Sequence, residues 1–85
     1  MTWNVQITNP AQKDFLKLPP KDQARVKAAL LSMQEDPFRG DIKRLKGKPT
    51  AWRRRVGNYR IVYDLYVEQN LVIVSGILRR TSTTY

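Results

Sequence analysis

Trp3, Val5 and Ile7 alternate with Asn4 and Gln6, the period of a strand with one face buried. Thr8-Asn9-Pro10 follows, a capping residue and then proline at a first helical position. Ala11, Phe15 and Leu18 fall at helical spacing until Pro19-Pro20 stops that helix and offers a start for the next. In the second helix Val26, Ala29, Leu30 and Met33 stand at i, i+3, i+4 and i+7, one apolar stripe that ends before Asp36-Pro37. After a polar connection containing Gly40, Gly47 and Pro49 the pattern becomes that of strands: Trp52 to Val56, Tyr59 to Tyr66 and Leu71 to Leu78 are rich in aromatic and β-branched residues. A short extra strand fits around Lys43 to Leu45. The order β-α-α-β-β-β predicts an α+β fold, an antiparallel sheet of about four strands with a two-helix hairpin packed on one face and the other face open. Eighty-five residues leave room for a single domain spanning 1–85.

Turn chemistry fixes which side chains share a face. Gly57-Asn58 between two strand-like runs reads as a two-residue hairpin, with glycine first as a type II′ turn requires. Val56 then faces Tyr59, Arg55 lies opposite Arg60, and Arg53 points to the same side opposite Val62. A second turn centred on Glu68-Gln69 sets Tyr66 against Leu71, which puts Ile77 opposite Arg60 and Arg79 near Asn58, a fourth guanidinium on that face. Like charges directly opposite one another destabilise a sheet on the scale of ~0.2–1 kcal/mol, so this face calls for an anionic partner or extended solvation. The alternative is a register off by one, with the arginines as ordinary solvent-facing residues. Trp52, Tyr59 and Tyr63 are candidates for stacking on bases. The same pairing sets Trp52 and Tyr63 opposite each other on the far face, where they read as core.

Charge sharpens the picture. Sixteen Lys and Arg against seven Asp and Glu give a net charge of +9, with no histidine and no cysteine. Between Arg39 and Arg60 stand nine cations against Asp41 alone, the footprint that nucleic-acid phosphate attracts. A solvated basic surface that aids solubility is the plainer explanation of composition by itself. No apolar run is long enough to span a membrane and no leader pattern opens the chain, so the expectation is a cytoplasmic protein with no disulfide, no membrane partner, no metal and no cofactor.

Leu45-Lys46-Gly47, the run from Trp52 through Arg53-Arg54-Arg55-Val56-Gly57-Asn58-Tyr59-Arg60-Ile61-Val62 to Tyr63, the closing Arg79-Arg80 and the terminal Tyr85 together resemble the RelE/ParE superfamily of toxins from type II toxin-antitoxin systems. The resemblance covers almost the whole chain, including Phe15-Leu16-Lys17-Leu18-Pro19 and the Asp36-Pro37 helix end. That superfamily holds ribosome-dependent messenger ribonucleases and relatives that poison DNA gyrase, so the fold by itself does not choose the activity. The ribonuclease branch carries basic residues at positions matching Arg53, Arg55, Arg60 and Arg79 and a tyrosine matching Tyr85. This chain departs from it in having Arg rather than Lys at the first two positions and in ending at Tyr85 without a further helix.

The resemblance implies a toxin that cuts messenger RNA in the ribosomal A site without metal. The 2′-hydroxyl of one nucleotide attacks its own phosphate, leaving a 2′,3′-cyclic phosphate on one fragment and a 5′-hydroxyl on the other. Arg60, with Arg53 or Arg55, is suited to stabilising the phosphorane, since guanidinium stays charged at any relevant pH. For the same reason it is a poor base, which leaves Tyr85, its usual pKa of ~10 lowered by nearby cations, as candidate base and Arg79 as helper of the leaving group. A frayed chain end is the other reading of Tyr85. Lys43, Arg44, Lys46, Lys48, Arg54 and Arg80 are the candidate RNA-binding residues. The implied partners are messenger and ribosomal RNA and a helical, acidic antitoxin, with a larger complex in which that antitoxin binds operator DNA. The rival readings are a gyrase inhibitor on the same fold and a nucleic-acid-binding module without catalysis.

Overall fold

Each element follows from a local cause. The computed structural model describes residues 2–79. Strand β1 (Asn4–Ile7) turns Val5 and Ile7 inward and Asn4 and Gln6 outward. The Thr8 hydroxyl accepts from the Ala11 amide at 3.3 Å, capping helix α1 (Asn9–Leu16), with proline in its first turn. Helix α2 (Pro20–Glu35) buries Val26, Ala29, Leu30 and Met33, the stripe predicted from spacing, and stops at Asp36, whose extended backbone suits the residue before a proline. The chain then forms β2 (Asp41–Arg44), β3 (Ala51–Val56), β4 (Tyr59–Tyr66), a 3-10 turn (Val67–Gln69) and β5 (Leu71–Arg79).

One sheet results, in the order β1-β5-β4-β3-β2. Strands β2 to β5 form an antiparallel meander, as expected, but β1 lies parallel to β5, so the sheet is mixed and has five strands rather than about four. The fifth is β2, the short strand allowed for around Lys43, shifted slightly toward Asp41. A parallel pair needs a long crossover, and everything from α1 to β4 lies between these two strands. Beyond Ile7 the edge of β5 continues without β1. There the Asp14 carboxylate of α1 accepts the Ile77 amide at 3.1 Å, blunting an edge that would otherwise offer unpaired backbone groups.

The core joins Ala11, Val26, Ala29, Leu30 and Met33 of the helices to Tyr59, Ile61, Tyr63, Leu65, Val72, Val74 and Ile77 of the sheet. The helices therefore cover one face and leave the other to solvent. Both hairpins start in the predicted register: Gly57 opens the first with φ of +57°, and the second closes Tyr66 on Leu71 through a left-handed Asn70. Along β5, however, Ser75 is an extra residue, because Tyr63 faces Val74 while Val62 faces Gly76. From there to the strand end every pairing moves by one, so Arg60 faces Leu78 rather than Ile77, and Arg79 faces Tyr59. The unshifted register would set Gly76 behind Ile61 and leave a gap in the core. The bulge puts Ile77 there instead, a burial worth roughly 1.5–3 kcal/mol.

Candidate nucleic-acid interface

Two rows of side chains cross the open face near the first hairpin. The pairing register runs Asp41, Arg55, Arg60 and Leu78 in one row and Lys43, Arg53, Val62 and Gly76 in the next. Alternation along β3 and β4 brings Arg53, Arg55 and Arg60 together, as the hairpin predicted, and β2 adds Lys43. Arg53 is the restrained member: its Nη1 lies 3.4 Å from a carboxylate oxygen of Asp41 and from the Asp41 carbonyl, and its side chain is 21% exposed. Arg55 and Arg60 have no ion-pair partner among the described residues. Two arginines set opposite each other in the register, neither ion-paired among the described residues, beside a held third, are suited to an oxyanion, since each planar fork can take two oxygens. Val62 and the exposed Leu78 give the same face an apolar margin.

Other expected residues lie elsewhere, for stated reasons. Arg54 alternates to the helix side, where its Nη1 donates to the Ser32 hydroxyl at 2.7 Å and the Ala29 carbonyl at 3.2 Å. It ties β3 to α2 and does not belong to the open face. Arg79 was expected as a fourth guanidinium there, and the Ser75 bulge carries it to the Tyr59 side of the sheet. Arg44 pairs with Trp52, also on the helix side of β2, and with Lys46 and Lys48 borders a shallow depression in the β2–β3 loop. Lys48 is 3.3 Å from the Asp64 carboxylate, which also accepts from Thr50, so part of its charge is already answered. Arg80 and Tyr85 lie outside the described residues.

The aromatic candidates turn inward. Tyr63 is fully buried, its hydroxyl donating to the Pro37 carbonyl at 3.2 Å, and burial pushes its pKa up to about 12 despite the nearby Arg54 and Arg53. The Tyr59 hydroxyl donates to Asp22 at 2.8 Å; that hydrogen bond, then burial and the Asp22 charge, raise its pKa against the lowering pull of Arg79. Neither tyrosine is free to stack on a base, and neither ionises at neutral pH. Trp52 is half-buried against the core, as its pairing with Tyr63 predicted, and meets Phe38 edge to face. Sequence reasoning missed Leu78 because it kept one register through β5, and missed the Asp41–Arg53 pair because β2 was placed too late in the chain. Alternation did place Asp41 in reach once β2 starts there. Among the described residues no three His, Cys, Asp or Glu side chains cluster as a metal site, and no helix is long and apolar enough to cross a membrane.

Comparison with known proteins turns this geometry into a family. A family model described as the ParE toxin of the type II toxin-antitoxin system parDE matches residues 5–83. A curated relative from Methanocaldococcus jannaschii named for the toxin RelE1 is 32% identical over 83 residues, covering 94% of this chain and 92% of the relative. Among solved structures, the toxin-antitoxin complex RelBE2 of Mycobacterium tuberculosis superposes with a TM-score of 0.83 at 27% identity, over 94% of this chain and all of the matched one. The archaeal RelE-RelB complex of Pyrococcus horikoshii gives 0.84 at 22% identity, over 98% of this chain and all of the matched one, a likeness of fold. Fold and family match together define the class, a toxin of a type II toxin-antitoxin system. Within that class the chain belongs to the RelE/ParE superfamily.

Proposed function

We propose that this toxin is an endoribonuclease that cuts messenger RNA in the ribosomal A site and so stops translation. The observation that carries the reading is the pair Arg55 and Arg60, side by side across β3 and β4 with no carboxylate partner, and Arg53 in the next row. They would hold the scissile phosphate while the 2′-oxygen attacks phosphorus and the bond from phosphorus to the 5′-oxygen breaks, and their charge would stabilise the phosphorane. The proton leaving the 2′-hydroxyl goes to a base, for which the family resemblance makes Tyr85 the candidate. The 5′-oxygen gains a proton from solvent, because Arg79, the helper expected from the resemblance, stands on the other side of the sheet from Arg55 and Arg60. No metal or cofactor enters this scheme. With so weak an acid-base set, most of the rate must come from the ribosome's positioning of the message.

The partner proposed for the toxin in its silent state is an antitoxin, helical and acidic, able to cover the basic face and to carry the pair onto operator DNA. The toxin-antitoxin complex RelBE2 of a related toxin supports the antitoxin as partner. Primer extension in a cell-free translation reaction tests the activity. New in-frame message ends that need both ribosomes and intact Arg60 support the nuclease; uncut messages with the wild-type toxin sink it. The ParE description of the matching family favours a second reading, inhibition of DNA gyrase on the same fold. A supercoiling assay, run beside the first, separates the two.

A further inference from the structure

A second cationic cleft lies off the open face, between α2 and the start of β2 and end of β3. Arg25, Arg54 and Arg55 line it, together with Ser32, Gly40 and Val56. Arg54 is built into its floor. The Ser32 hydroxyl and Ala29 carbonyl hold its Nη1, while its Nε and Nη2 donate to no acceptor among the described residues. Gly40, with φ of +94°, lets the guanidinium pass, because a Cβ at that position would stand 2.8 Å from Nε. Arg25 reaches toward the hairpin from α2, and a Cβ at Gly57 would lie 3.2 Å from its Nη1. None of the three arginines has an ion-pair partner among the described residues. Asp41 also borders the cleft, and its carboxylate is already shared with Arg53.

A half-buried guanidinium held only by neutral acceptors has lost water without gaining a counter-charge, and an incoming oxyanion would supply it. No large apolar side chain lines this cleft, so it lacks the anchors on which a packed peptide depends. Arg55 borders the cleft and also belongs, by register, to the open-face row with Arg60. We propose that this cleft is a second phosphate subsite, in which Arg25 and Arg54 hold a backbone phosphodiester of RNA that continues past Arg55 from the strand face. The choice of RNA rests on the ribonuclease reading; the anion site itself does not.

The test is binding of a single-stranded RNA made uncleavable by 2′-O-methylation, measured by fluorescence anisotropy against salt. Arg25→Gln is compared with wild type and with Lys27→Gln, an exposed change on the same helix outside the cleft. Loss of one phosphate contact should weaken binding roughly tenfold at low salt and make the slope of log K on log[salt] shallower by about 0.7, while Lys27→Gln leaves both near wild type. Gly40→Ala, which displaces the Arg54 guanidinium, should act in the same direction. An unchanged slope in a folded Arg25→Gln protein would overturn the proposal, as would an effect confined to a polyglutamate probe, which would assign the cleft to an acidic protein. Message cleavage in the translation reaction is read separately. A wild-type toxin that cuts nothing yet shows the Arg25-dependent slope would lose the ribonuclease reading and keep the anion site.

Discussion

Arg53, Arg54 and Arg55 are chemically identical neighbours with different fates. Arg54 faces the helices, its guanidinium bonded to Ser32 and Ala29, whereas Arg53 and Arg55 face away, one paired with Asp41 and the other unpaired. The strand's two-residue period produces this division. What it teaches is that parity on one strand decides whether the same side chain acts as a strut to the helices, open to an anion only from the cleft beside them, or stands at the open-face site. Removing the strut should be read in stability, and removing a site arginine in activity.

Arg60→Ala is the sharpest way to break that comparison and carries the largest expected effect. Message cleavage at saturating ribosome should fall about 10²–10³-fold, the scale of losing one group that stabilises transition-state charge. Stability should hold or rise by up to about 1 kcal/mol, because Arg60 opposes Arg55 directly across the strands. Urea unfolding checks the second half; a fall in stability matching the loss of activity would make Arg60 a structural residue.

Tyr63 examines the covered face. Its folded-state pKa of about 12 exceeds the value of ~10 for an unfolded tyrosine, so the buried neutral phenol contributes stability that is complete below about pH 10. As pH rises from 10 toward 12 the unfolded chain ionises first and that contribution drains away, up to about 2–3 kcal/mol in all. Alkaline unfolding followed by phenolate absorbance should show this, and Tyr63→Phe should flatten it while forfeiting the hydrogen bond to Pro37. If the variant kept the same alkaline midpoint, the sensitivity would belong to another group.

Arg54→Met keeps the stem and removes the fork. It should cost about 1–3 kcal/mol, since the Ser32 hydroxyl and Ala29 carbonyl lose a charged donor in a half-buried place. Cleavage per folded molecule should fall less than in Arg60→Ala. Equal losses from the two variants would erase the distinction between strut and site.

Most of this arrangement was legible in the chain. Helix α2 could be read from four spaced apolar residues, and the Arg55–Arg60 pairing from the Gly57-Asn58 turn, because both signals are local and periodic. The parallel partnership of β1 with β5 was not legible, since it joins residues more than sixty positions apart and rests on the crossover of two helices. Nor was the bulge at Ser75 read: its one local mark is Gly76 inside the strand run, and it exists because Ile77 fills the core behind Ile61 where Gly76 would leave a gap. That one residue moved Arg79 off the open face and brought Leu78 onto it. The place of Arg54 was missed for a different reason, a basic run taken as a block although strand parity sets its middle member on the helix side.

The smallest expected effect isolates the difference between the two outward arginines of β3. Asp41→Asn removes the carboxylate 3.4 Å from Arg53 and leaves Arg55 and Arg60 as they are. The pair is exposed on the aspartate side, so its loss should change stability by no more than about 1 kcal/mol. With one negative charge gone from the row that holds Arg55 and Arg60, RNA should bind a few-fold more tightly at low salt, and the gain should fade as salt screens the patch. Titration of uncleavable RNA at low and high ionic strength measures it. A gain independent of salt would mean that Asp41 acts by holding the Arg53 side chain in place rather than by its charge, and weaker binding would make that fixed Arg53 geometry part of the phosphate site.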